Sequence, residues 1–154
     1  GVQATLSYTA SIGSGSGSAV ATLAPGQQLL IPDAIAYLRA GGVPIPTGVS
    51  VGGTLLVTFA NPSSRDAVSV TARTTTATAP PQPAGAAGLA YSGIDPALLR
   101  SGKLTLFGLR STTADRTNVA VYSASSVPVT LKVTAHIPVG QVPKRNNTVT
   151  MLVP

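Results

Sequence analysis

The sequence predicts an all-β chain of antiparallel strands, and three observations carry that prediction. Val and Thr, which suit a pleated half-buried surface, are abundant, whereas Glu is absent and Lys scarce. Apolar and small polar residues alternate in short runs such as VQATLSYTA (2–10) and VPVTLKVTAHI (127–137). Turn signals rich in Gly, Pro, Asn and Ser separate the runs at the short intervals of a sandwich or barrel, not of a βαβ sheet.

Taken in order, residues 2–10 and 19–25 form two strands joined by the Gly- and Ser-rich tip 13–18, a flexible hairpin connection. QQLLIP (27–32) reads as extended. DAIAYLRAGG (33–42) is a short helix over about 34–40: Asp33 caps its first N–H groups, Arg39 suits its C-terminal dipole, and Gly41 takes the left-handed position after it. VSVGGTLLVTFANP (49–62) is a strand pair or one strand interrupted at Gly52-Gly53. After the turn at 61–66, AVSVTARTTT (67–76) forms a strand with Val68, Val70 and Ala72 on one face. Residues 77–93, rich in Pro, Ala and Gly, read as a long irregular loop. A second short helix over about 96–101 starts from Asp95 as N-cap with Pro96 at its first position. Strands are expected at 103–109, 117–123, 127–137 and 147–153.

Composition narrows the function. Charged residues make up 9% of the chain, against about 25% in an average soluble domain. Ser and Thr therefore supply the wettable surface. The net charge of +6 reflects absent acids more than a basic patch, because the ten Lys and Arg are scattered singly apart from Lys144-Arg145. Nucleic acid binding, which needs a basic stripe or interleaved aromatics, is not expected. The lack of cysteine removes disulfides and thiolate metal sites, and no apolar stretch is long enough for a membrane-spanning helix. The chain opens directly on a strand-like pattern with no signal peptide, as a mature product or an excised segment would.

The two ends of the chain repeat each other. VQATLSYTA, a Gly-rich turn and SAVATLAP (18–25) parallel VPVTLKVTA (127–135), a longer turn and NTVTMLVP (147–154). DAIAYLRAGG and DPALLRSGK each precede a β-prone run. The 154 residues thus form one sandwich unit of two related halves, about 1–76 and 94–154, joined by loop 77–93. RTNVAVYSAS (116–125) precedes the second hairpin and nothing precedes the first, so an open sheet edge is expected beside 2–10.

The run RTNVAVYSASSVPVTLKVTAHIPVG (116–140), with VATLAPGQ (20–27), VSVTART (68–74) and FGLR (107–110), resembles the immunoglobulin-like β-sandwich repeats of large bacterial secreted and cell-surface proteins. Tyr122-Ser123 and Ser125 stand where those repeats often carry a Val-Asn turn. The resemblance implies an immunoglobulin-like sandwich and an extracellular setting, and it brings no catalytic residues.

No residue pattern points to catalysis. His136, the one histidine, alternates outward with Lys132 and Thr134, without the burial or orienting partner a catalytic triad needs. Asp33 and Asp95 occupy helix caps, while Asp66 and Asp115 lie in separate turns, so no two acids converge. Clustered Asp and Asn for calcium are absent, and the 13–17 glycines lack the Lys-Ser/Thr of a phosphate loop. No cofactor or metal is expected. The leading expectation is a non-enzymatic extracellular building block, a surface protein or self-assembling filament subunit whose partners are other copies or neighbouring domains. It would be completed by strand donation along edges carrying Val2, Thr5, Tyr8, Thr148 and Thr150. The alternative is an adhesion module binding a ligand or glycan through Tyr91 in loop 77–93 and the tips near 110–116 and 138–146.

Overall fold

A computed structural model describes residues 1–60, 62, 68–81, 83–110, 112–113, 117, 119–125, 127–135 and 147–153. The fold is all-β with one α-helix. Its strands are β1 (Val2–Ile12), β2 (Ser16–Leu23), β3 (Gly52–Ala60), β4 (Thr71–Ala77), β5 (Ala86–Ser92), β6 (Val129–Ala135) and β7 (Asn147–Val153), with helix α1 (Ala34–Ala40) between β2 and β3. All pairings are antiparallel: a three-stranded sheet ordered β2-β1-β3 and two hairpins, β4-β5 and β6-β7. The chain divides into two units, Gly1–Gly93 and Ile94–Pro154.

In the first unit, β1 alternates as its sequence demands. Ala4, Leu6 and Tyr8 are buried on one face, beside Ala19 and Ala21 of β2. Register sets Ala4 opposite Ala21 and Leu6 opposite Ala19, so small residues on the outer strand make room for what covers them. The cover is α1 and the residues that follow it. Leu38, Val43 and Ile45 close the core, with Val57 and Phe59 of β3 packed at its side.

The helix forms because both of its ends are satisfied. An Asp33 Oδ1 accepts a hydrogen bond from the Ala36 N–H at 2.9 Å. At the other end the Gly42 N–H donates to Arg39 O (2.9 Å) and the Val43 N–H to Leu38 O (3.0 Å). This is a Schellman closure, with Leu38 and Val43 as its apolar pair. The left-handed residue is Gly42 (φ +89°), not Gly41 as the sequence suggested: the helix ends at Ala40 as expected, and Gly41 (φ −78°) is its C-cap. Arg39 then ties the exiting chain down: its Nε donates to Ile45 O at 3.0 Å and its Nη2 to Pro46 O. Asp33→Ala should lower the unfolding free energy by about 1 kcal/mol, measured by urea denaturation followed by circular dichroism; an unchanged midpoint would mean that the cap contributes nothing.

Tyr8 sits at the open end of this core. Its hydroxyl is buried and has no hydrogen-bond partner among the described residues, and an unmet buried hydroxyl costs roughly 1–3 kcal/mol. Tyr8→Phe keeps the ring and removes that group. It is expected to raise stability by about 1 kcal/mol, and a clear loss in the same denaturation assay would contradict the packing described.

Several sequence expectations are corrected. The second helix is a single 3₁₀ turn, Pro96–Leu98, because its apolar residues meet no sheet to pack on: Leu98 is exposed. Residues 49–62 yield one strand, β3, starting at the glycine pair. The loop assigned to 77–93 contains β5, leaving 78–85 as the connection, closed by the Thr78 N–H on Gly85 O (3.0 Å) and the Thr78 hydroxyl on Pro83 O (2.7 Å). Residues 27–32 and 103–109 are not strands, nor are the described residues of 117–123. The turn 61–66, apart from Pro62, and the tip 138–146 lie outside the described residues, as do His136, Asp66 and Asp115.

Candidate assembly surfaces

The two described carboxylates both serve as caps. Asp33 caps α1, and an Asp95 Oδ1 accepts from the Ala97 N–H at 2.8 Å. No group of three or more His, Cys, Asp or Glu gathers among the described residues. No helix there is long and apolar enough to cross a membrane. A shallow cleft lies between β2 and α1, lined by Ser18, Ala19, Val20, Tyr37, Ala40 and Gly41. The Tyr37 hydroxyl spans it to donate to Val20 O at 3.0 Å, so its one phenol is already engaged.

What the structure does present is unfinished sheet. β1 is the central strand, hydrogen-bonded to β2 on one side and to β3 on the other. The open edge expected at Val2, Thr5 and Tyr8 is therefore filled: Thr5 pairs with Val20 and Thr58, and Tyr8 is buried opposite Gly17 and Leu55. Sequence comparison of the halves had no means of seeing that β3 returns to the first hairpin. Among the described residues the free edges of this sheet are instead β2 and β3. Its face away from α1 carries Thr5, Ser7, Thr22 and Thr58 with the exposed apolar residues Val20 and Leu56 among them.

Thr148 and Thr150 lie on β7, opposite Thr134 and Lys132, and the Thr148 and Thr134 hydroxyls stand 3.4 Å apart. No third strand joins β6 or β7 among the described residues, so both strands keep an open edge. The β4-β5 hairpin is open in the same way among the described residues, and every residue of its two strands is exposed. Tyr91 belongs to β5, opposite Ala72. It is 52% exposed, with Leu89 two places along on the same face. That face also carries Thr74 and Thr76 of β4, so Tyr91 stands on a strand face and not in the loop where the sequence reading put it.

The apolar display is largest in the second unit, where no described residue is buried. Leu104, Leu106, Phe107, Leu109, Val119 and Val121 are all exposed, Phe107 by 88%. These residues carry the strand-like alternation read from the sequence, yet among the described residues no strand pairs with them. Burying a side chain of this size contributes about 1.5–3 kcal/mol, so an array of them left in water is a strong drive toward a partner surface. Comparison with protein-family models, curated proteins and solved structures finds no match to the chain.

Proposed function

We propose that this protein is a non-enzymatic extracellular building block of immunoglobulin-like β-sandwich type, which completes its sheets with strands from other copies or from neighbouring domains. One observation carries the reading. Two of its three sheets are bare two-stranded hairpins, with no third strand and no covering helix among the described residues. A lone hairpin is marginal in water; three strands with an apolar face, or packing against a helix, are needed for independent stability. Four strands that stay in register therefore call for surfaces from outside. The open β2 and β3 edges of the better-packed sheet offer the same backbone donors and acceptors to an incoming strand.

Composition supports the same reading. A surface of Ser and Thr with 9% charge imposes little like-charge repulsion when many copies meet. The resemblance to bacterial surface repeats supports the sandwich and the extracellular setting, with the second sheet layer arising on assembly.

The test is sedimentation velocity on the purified chain over a wide concentration range, with electron microscopy of the same samples. Oligomers or filaments growing with concentration are expected. A monomer at every concentration would overturn the reading.

A further inference from the structure

From Leu99 onward the chain repeats the apolar spacing of the segment that covers the first hairpin. In the first unit Leu38, Val43 and Ile45 close the core over Ala4, Leu6 and Tyr8. Aligning LRAGGVPI (38–45) on LRSGKLTL (99–106) brings Leu99, Leu104 and Leu106 to those three positions. The local geometry is related but not identical. Each segment starts at an aspartate whose carboxylate accepts from a backbone N–H, that of Ala36 in one and Ala97 in the other, and each contains a glycine at φ +89°, Gly42 and Gly102, which stand one position apart in this alignment.

The hairpin that such a segment covers recurs too. Where β1 carries Ala4, Leu6 and Tyr8, β6 carries Val129, Leu131 and Val133. The β6-β7 register sets Leu131 opposite Met151, whereas a plain superposition of the repeat would set it opposite Thr148. That shift brings Val149 opposite Val133, so the apolar positions of the two strands pair with one another.

Segment and hairpin face are complementary, and both stand open. Leu104 is 70% exposed and Leu106 62%, against 40% for Val133 and 55% for Val149. Their counterparts in the first unit, Val43, Ile45 and Tyr8, are all buried.

We infer that the second unit closes by exchange with a second copy of this chain: the 95–106 segment of each copy covers the β6-β7 apolar face of the other, in a two-fold dimer. The first unit supplies the packing solution. The second hairpin sets Val149 and Met151 where the first has Gly17 and Ala19, so the contacts differ in detail, and exchange of an identical element between copies is a low-cost route to dimers. The inference rests on the assembly reading above and names the surfaces and the occupant.

The geometry of the first unit also fixes a test. Val43 lies over Gly17, with its Cγ1 3.3 Å from where a Gly17 Cβ would be, and Gly17 is the register partner of Tyr8. Leu104 holds the place of Val43, and the partner of Val133 is Val149. The chain has no cysteine, so a Leu104→Cys chain and a Val149→Cys chain carrying a size tag can be mixed and mildly oxidised. A mixed-tag disulfide dimer is expected, well above the yield from a control mixture of Leu104→Cys with Thr75→Cys. A yield no higher than the control overturns the exchange, and so does a Leu104→Cys/Val149→Cys chain whose disulfide closes within one copy. Assembly by sedimentation without this cross-link removes the exchange alone; a monomer without it removes the assembly reading as well.

Discussion

Leu38→Ala is expected to destabilise the first unit by about 3 kcal/mol, within the range measured for Leu truncations in closed cores. Leu38 is 1% exposed and is the largest side chain fully enclosed. It touches the structure in three ways at once. It stands in the core with Leu6 and Tyr8, it is the apolar partner of Val43 in the helix closure, and its carbonyl accepts the Val43 N–H at 3.0 Å. The core around it is made of alanines, valines and single larger side chains, which gives little slack to refill the space. For a unit of this size, 1 kcal/mol moves the melting midpoint by roughly 4–8 °C, so the loss falls well outside error in a thermal scan by circular dichroism. A midpoint within a few degrees of the parent chain would mean that α1 does not seal this core.

Gly53→Ala is expected to cost roughly 1–3 kcal/mol by overpacking, although it adds a single methyl group to a strand where alanine is ordinarily acceptable. The reason is what lies above that glycine. A Cβ at Gly53 would meet the Thr9 carbonyl oxygen and would stand 2.8 Å from Tyr8 Cε2. Tyr8 fills the place a side chain on β3 would take, beside the irregularity in the β1-β3 register between Ala10 and Ile12. The incoming methyl must push the Tyr8 ring out of the core or part the strands. Gly52→Ala is the control, since its nearest neighbours are the flexible Ile12 side-chain atoms at 3.5 Å and beyond. Equal denaturation midpoints for the two variants would contradict the placement of the Tyr8 ring.

The strand content was legible because it depends on local pattern. Alternation over residues 2–10 marked β1 as a strand, and the Asp33 and Gly41-Gly42 punctuation located α1. What could not be read was anything decided by distant partners. β3 returns to pair with β1 across residues 24–51, and no local signal at Val2 or Tyr8 announces it. β5 was read as loop because AAGLAYS looks too small and too glycine-rich for a strand; Gly88 is there because a Cβ would collide with the Thr74 carbonyl across the hairpin. The second helix failed for the opposite reason. Its caps are correct, but a helix so short holds only when a packed face supports it, and Leu98 has none.

The strand edges were half visible in the same way. Thr148 and Thr150 lie on β7, which has no third strand beside it among the described residues, whereas Val2, Thr5 and Tyr8 lie on the most enclosed of the described strands. The exposed Leu104 and Leu106 were read as part of a strand at 103–109, since alternation identifies an apolar face and says nothing of which molecule covers it. The repeated LR-x-G spacing of residues 38–45 and 99–106 was the available clue. It acquired meaning only once Leu38, Val43 and Ile45 were found to be the cover of a hairpin.

The claim that the open hairpins are completed by other copies is tested most directly by hydrogen exchange, read by mass spectrometry over β4, β5, β6 and β7 at increasing protein concentration. The account predicts fast exchange of these strands in dilute chain and strong protection as concentration rises, with β1 protected throughout. Protection of the hairpins that is complete in dilute monomer, or exchange that stays fast at every concentration, would contradict it.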